Sequence, residues 1–396
     1  MVESEATIVA ETVPLPGTVA GLPRIVVGVT SAQTCLVLRG RPRALRMAGF
    51  DVTLTCSPDE LLTQTAEAEG VTAQPVRMKR GIAPVSDLRA LCSLLMLLWR
   101  LEPQITDFST PKAGLLGNLA AWAVGVPHRV YTLRGLKMES TEGWKRTLLL
   151  WMERLAAGCA HVVLCNSYSL RSKAIVLGIA PAKKLQVLGN GSSNGVDVHR
   201  FCPGESCVRC DLGIADGGPV LGFVGRLTKD KGIPELLVAF DQILSNIPGC
   251  WLLLVGWFDH AEDELDGHWR RHVAQHSRIR HTGFVADTAP YYRAMDVLIL
   301  PTHREGFPNV VLEAAATGVP AITTECTGSR DAVLPEVTGL LIPPGRPYAI
   351  TEAALMLLRD DEKRLRLGKA ARKLVVDRYS QERVLEMATE FYQGLL

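Results

Sequence analysis

V-L-G-F-V-G-R-L-T-K-D-K-G, residues 220–232, decides how this chain folds. Its first five residues carry no polar side chain on either face, the pattern of a strand covered on both sides inside a parallel sheet. The apolar run then gives way to Gly225, Arg226, Lys229, Lys231 and Gly232, and from Ile233 to Leu244 apolar residues recur at helical spacing. A buried strand, a basic glycine-bearing loop and a helix in that order form one unit of an α/β sheet. Ligands of open α/β sheets sit outside the carboxyl ends of the strands, where this loop lies. Taken alone, the loop reads as a solvated basic turn.

The same unit repeats in both directions. Downstream, strands are expected at Trp251–Val255, near Phe284, at Val297–Leu300, at Ala321–Thr323 and at Gly339–Ile342. Helices are expected over Leu265–His276, Ala289–Ala294 and Asn309–Thr317. Upstream, Ile25–Val29, Val52–Cys56, the stretch near Ile105, Arg129–Thr132 and His161–Cys165 read as strands. Leu36–Met47, Pro84–Trp99, Gly114–Val124 and Glu142–Ala157 read as the helices between them. The two series meet at N-G-S-S-N-G, residues 190–195, where glycine and asparagine favour a joint. The 396 residues exceed what one core usually supports. The expected division is an N-terminus without sustained period over 1–23, a first α/β domain over 24–195, a linker over 196–217 and a second domain over 218–376. A helix over 377–396 is expected to pack back on the first domain.

Composition narrows the function classes. Forty-three Lys and Arg against 41 Asp and Glu leave a formal charge of +2, too balanced for a nucleic-acid-binding protein. The ten cysteines lie mostly in apolar runs, as buried thiols of a reducing, cytoplasmic protein do. Cys202, Cys207 and Cys210, with His199 before them, offer only one C-x2-C pair, short of a usual zinc site. No apolar run reaches eighteen residues and the first residues are acidic, so neither a membrane span nor a signal peptide is expected. The helix from Pro84 is apolar over most of its circumference and follows Arg77, Lys79 and Arg80. It reads either as a cover for the sheet or as a surface for anionic headgroups.

The second segment that carries chemistry is R-E-G-F-P-N-V-V-L-E-A, residues 304–314, beyond the Val297–Leu300 strand. Glu305 and Glu313 flank a Gly-Phe-Pro-Asn corner; carboxylates so placed hold hydroxyls of a sugar and of a ribose. Gly306 admits close backbone approach, Pro308 stiffens the turn, and the helix from Asn309 begins with unpaired amides. Glu313 sits among V-V-L and A-A-A, where a buried carboxylate needs a donor. Arg226 supplies a planar fork and Lys231 a compact cation for a diphosphate leaving group, on which negative charge grows.

These motifs, with G-V-P-A-I at 318–322, T-G-L-L-I-P-P-G at 338–345, T-P-K-A-G-L-L-G at 110–117 and N-G-V-D-V-H-R-F at 194–201, resemble those of the retaining glycosyltransferases of family four, over residues 24–394. The resemblance implies an α/β protein of GT-B architecture, two Rossmann-like domains facing an interdomain cleft. It implies Arg226 and Lys231 on the donor diphosphate, Glu305 near the transferred sugar, and Glu313 on the ribose. Gly225 and the backbone of Gly306, Phe307, Pro308 and Asn309 would cradle sugar and phosphates, and the main chain at Phe284 and Val285 would read the base. Where many relatives carry His-Gly, this chain has Arg134-Gly135; an arginine suits an N-acetyl, carboxyl or phosphate group but is no base near neutral pH. The alternative for Arg134 is a structural contact. On the first-domain side Thr30, Ser31, Thr110 and Lys112 are expected to meet acceptor or phosphate, with helix capping as the rival reading for Thr30 and Ser31.

The resemblance further implies same-face transfer with retention; the sequence has no D-x-D stretch, and no metal or other cofactor is expected. The expected donor is a UDP-linked N-acetylated hexosamine. The expected acceptor is a polyprenyl-diphosphate-linked sugar or other glycan at the inner membrane face, R-G-R-P-R-A-L-R at 39–46 being the basic segment beside it. A soluble natural-product acceptor, a non-hydrolysing nucleotide-sugar epimerase and a non-catalytic nucleotide-binding module are the alternatives. A dehydrogenase is disfavoured because no G-x-G-x-x-G follows the first strand.

Overall fold

The computed structural model describes residues 21–79, 81, 83–214, 217–259 and 264–396. Most of the proposed N-terminal segment, and Arg80, lie outside them.

Two parallel sheets, each flanked by helices, make a GT-B fold. The first comprises β1 (Arg24–Gly28), β2 (Asp51–Thr55), β3 (Thr72–Ala73), β4 (Ile105–Ser109), β5 (His128–Leu133), β6 (Val162–Cys165) and β7 (Leu185–Gln186), in the order β3-β2-β1-β4-β5-β6-β7. The second comprises β8 (Val220–Val224), β9 (Trp251–Val255), β10 (Ile279–His281), β11 (Val297–Leu300), β12 (Ala321–Thr324) and β13 (Gly339–Ile342), in the order β10-β9-β8-β11-β12-β13. All ladders are parallel; β8 pairs Val220 with Trp251 on one side and Leu221 with Val297 on the other. Its five residues are buried throughout, as the unbroken V-L-G-F-V run requires.

The helix expected over Leu36–Met47 is broken. A four-residue helix, Ala32–Cys35, runs into a 3₁₀ turn, and a separate helix begins at Arg41. Gly40, at φ 83°, takes the left-handed backbone that ends the one, and Pro42 suits the first turn of the other.

The helix Gln381–Gln393 lies on the first sheet's side of the molecule. Ala388 and Tyr392 join the core of Ile25, Val52 and Ile105, and the Tyr392 hydroxyl donates to Asp107 Oδ2 on β4 at 2.6 Å. Where the chain crosses back, Val196 and Ser380 form an isolated bridge, and the Val196 amide donates to the Tyr379 carbonyl.

Candidate functional site

In each sheet the chain runs outward in one direction from one central strand and in the other from its neighbour. The crevices therefore lie between β1 and β4 and between β8 and β11. Gly225–Lys231 leaves β8 and the acid-flanked bend leaves β11, so the second crevice holds both motifs.

At that crevice Asp230 is the hub. Its carboxylate is 2% exposed, accepts from the Thr228 hydroxyl at 2.5 Å and from Arg304 at 3.0 Å, and lies 4.0 Å from Arg226. Burial alone would raise its pKa, but the Thr228 hydroxyl with Lys231, Arg304 and Arg226 holds it below the usual carboxylate range. An aspartate kept ionised in this way gathers three cations around one point. Lys231 donates to Glu305 Oε1 at 2.5 Å, with both side chains largely covered, while Arg226 is about a third exposed and pairs with Asp259 at 2.8 Å. Neither cation is spare, so an incoming diphosphate would draw them from Glu305 and Asp259. The loop, which taken alone reads as a solvated basic turn, is thus built around a buried acid. Asp230 and Arg304 escaped the sequence reading, although K-D-K placed an acid between the two lysines.

Glu313 accepts from the Tyr292 hydroxyl at 2.7 Å; burial raises its pKa, against the Tyr292 hydrogen bond and the nearby Arg200. Phe284 is exposed and packs edge-on against Trp257, ring centroids 5.6 Å apart, beyond the ends of β9 and β10, while Val285 packs inward. Trp257 was not singled out from sequence because one tryptophan after a strand has no distinguishing pattern. Pro308 precedes the helix Asn309–Ala316 with no side-chain cap. Phe307 is buried, against Tyr379 at 5.5 Å between ring centroids, so its side chain is a packing element.

In the first crevice, the Thr30 and Thr110 hydroxyls meet at 2.6 Å, and Thr30 also accepts the Ala113 amide at 3.2 Å. Thr110 holds φ 73°, a left-handed value that a β-branched residue adopts only when its surroundings impose it. Ser31 lies 3.3 Å from the Thr34 hydroxyl, and its carbonyl accepts the Thr34 amide, a helix-start arrangement. The Lys112 ammonium is committed within the first lobe. It is bound to Asp87 at 2.5 Å and to the Gly81 carbonyl, with its side chain 8% exposed, and so pins the helix Pro84–Leu101. Arg134 donates from Nε to the Ser109 hydroxyl at 3.0 Å, beside the lobe contact described next.

The lobes touch at the site. A Cβ on Gly306 would stand 1.8 Å from the Arg134 carbonyl oxygen, so only glycine fits between the acid-flanked bend and the end of β5. Around this contact Asp331 accepts from the Ser169 amide and hydroxyl, Thr327 donates to Glu139 at 2.7 Å, and Ser192 donates to Asn309 at 3.4 Å. The Glu305 amide donates to the Thr327 carbonyl, tying the bend to this seam.

Cys202, Cys207 and Cys210 are free thiols, and among the described residues they do not gather into a metal-holding group. The one such group there, Asp241 with His272 and His276, lies on helices away from the crevice.

Comparison with known proteins accords with this architecture. Residues 41–191 match the family model described as glycosyl transferase 4-like domain, and residues 218–360 the model described as glycosyl transferases group 1. A capsular polysaccharide biosynthesis glycosyltransferase, CapM, of Staphylococcus aureus is 35% identical over 93% of this chain and 96% of its own length. A UDP-Gal:α-D-GlcNAc-diphosphoundecaprenol α-1,3-galactosyltransferase of Escherichia coli is 27% identical over 87% and 89%. Among solved structures, Anabaena HepE in complex with UDP and glucose superposes with a TM-score of 0.79 at 20% identity, over 94% of this chain and all of that one. At that identity the likeness speaks for the fold, whereas the Staphylococcus relative, similar from end to end, speaks for the family: this chain belongs to the group 1 glycosyltransferases, with a 4-like first domain.

Proposed function

We propose that the protein transfers a sugar, an N-acetylated hexosamine, from a UDP donor to a hydroxyl of a polyprenyl-diphosphate-linked acceptor, with retention of anomeric configuration and without a metal. The observation that carries this reading is the cluster of Arg226, Lys231 and Glu305 about Asp230 at the β8/β11 crevice. In the proposed complex Arg226 and Lys231 take the diphosphate, Glu305 passes to the sugar, and Glu313 accepts from the ribose. Gly225 and the backbone of Gly306 to Asn309 line the sugar and phosphates. The base lies along Phe284 and Val285, beside Trp257. Residues 24–195 serve as the acceptor-side lobe and 218–376 as the donor lobe.

In the reaction, the bond from the anomeric carbon to the phosphate oxygen breaks as the acceptor oxygen bonds to the same face. The acceptor's proton passes to the departing phosphate oxygen. Arg226 and Lys231 stabilise the charge that develops there, the part a divalent ion plays elsewhere. The acceptor class is supported by the diphosphoundecaprenol acceptor in the Escherichia coli relative's name.

The test is turnover of UDP-sugars, including slow donor hydrolysis without acceptor. Arg226→Ala and Lys231→Ala are expected to lower kcat by about 10²- to 10³-fold, as loss of one oxyanion donor does, and to weaken turnover more than folding. Unchanged turnover in both variants, or hydrolysis of GDP-sugars alone, contradicts the reading.

A further inference from the structure

The first crevice contains more buried positive charge than its own acids neutralise. Arg134 reaches one partner, Ser109, and its Nη1 and Nη2 are enclosed without a hydrogen-bond acceptor. Arg41 is 4% exposed and donates to the Ser193 carbonyl, while its Nε is also enclosed without an acceptor. The carboxylate beside both is Asp107, 1% exposed. It lies 4.0 Å from Arg41 and is already engaged by the Thr132 and Tyr392 hydroxyls at 2.6 Å each. Burial, then the neighbouring Arg41, push the Arg134 guanidinium down to about 10, against the pull of Asp107 and Tyr392. Two guanidinium ions thus share one occupied carboxylate, and buried charges of this kind are retained where something pairs with them.

We infer that Arg134, backed by Arg41, binds a second anionic group of the reactants, a carboxylate or phosphate distinct from the donor diphosphate. This rests on the proposed donor site, because the Arg134 backbone carbonyl lies against Gly306, next in the chain to Glu305, while its side chain turns into the first crevice toward Ser109. The free fork of Nη1 and Nη2 matches two oxygens of a carboxylate or phosphate. The chemistry has two sources: a carboxylate on the transferred sugar, as in an N-acetylated aminouronic acid, or the diphosphate of a lipid-linked acceptor.

The experiment compares wild type with Arg134→Met and Arg134→Lys by thermal shift and calorimetry. One arm sets UDP-glucuronic acid against UDP-glucose; the other titrates inorganic pyrophosphate into protein saturated with UDP. UDP alone must stabilise the wild type, otherwise the donor reading itself has failed. If UDP binds, the inference expects one arm to show a second anion bound by wild type, at least tenfold weaker in Arg134→Met and partly restored in Arg134→Lys. A preference for the uronic acid assigns the anion to the donor, and pyrophosphate binding assigns it to the acceptor. Without ligand, Arg134→Met is expected to melt no lower than wild type, since it removes a buried unpaired charge. Equal anion binding by wild type and Arg134→Met in both arms, or a lower melting temperature for unliganded Arg134→Met, overturns the inference and leaves Arg134 as a strut.

Discussion

At the scale of single residues, burial decides which charges are free for ligands. Lys112 and Arg226 look alike in sequence, each a cation in a glycine-bearing loop after a strand. Both are paired, but the Lys112–Asp87 pair leaves the cation covered, whereas Arg226, paired with Asp259, stays partly open to solvent. That difference was not legible, because Asp87 lies 25 residues from Lys112 and only the fold brings them together. Glu153 makes the energetic side of burial measurable. It faces Tyr131 inside the helix Gly143–Cys159, and burial, against the Tyr131 hydrogen bond, raises its carboxyl from 4.5 to about 7. The folded state then holds a proton that the unfolded chain releases, so stability falls as pH rises from 4.5 to about 7 and the loss is complete above it. Glu153→Gln keeps an acceptor for Tyr131 and removes the charge. Its expected effect at pH 8 is a gain on the order of 2 kcal/mol over wild type, vanishing near pH 4.5. Denaturant melts at the two pH values check this; equal stability differences at both would show that the carboxylate does not titrate as described.

At the scale of elements, the strands were the most legible part. β8, β9, β11 and β13 have the bounds their apolar runs indicate, because a strand buried on both faces tolerates no polar interruption. The helices Glu60–Glu69 and Tyr168–Val176 were missed. Their apolar periodicity is weak, and their signals were the N-caps Asp59 and Ser167, which accept from Leu61 and Leu170. Three adjacent helices add a surface. Val85, Leu88, Cys92, Met96 and Trp99 form an exposed stripe along Pro84–Leu101, and Trp144, Leu148, Trp151 and Leu155 form another along Gly143–Cys159. Trp122 stands exposed on Pro111–Val124, which packs against both. Arg89, Arg100, Lys145 and Arg146 are exposed beside the stripes. Interfacial tryptophan with basic neighbours suits contact with anionic lipid, the alternative that the sequence left open for the helix from Pro84. No described helix is long and apolar enough to cross a membrane. Wild type is expected to float with vesicles containing phosphatidylglycerol, and Trp99→Ser with Trp151→Ser to reduce the bound fraction severalfold without changing the melt. Equal flotation of the two proteins contradicts this use of the stripes.

At the scale of the whole molecule, the sequence announced two α/β halves and the loops at their strand ends, but not how the halves meet. The seam depends on pairs far apart in the chain, Ser169 with Asp331, Glu139 with Thr327 and Arg134 with Gly306, none of which bears a local pattern. Through it the acid-flanked bend of the second lobe lies against Arg134 and Gly135 of the first. In the proposed complex Arg226 and Lys231 leave Asp259 and Glu305 for one diphosphate lodged in this seam. A crystal structure of the protein with UDP tests it most directly. Diphosphate oxygens are expected within about 3 Å of both the Arg226 guanidinium and the Lys231 ammonium, with the uracil along Phe284. A nucleotide bound elsewhere, or one that leaves the Lys231–Glu305 and Arg226–Asp259 pairs intact, contradicts it.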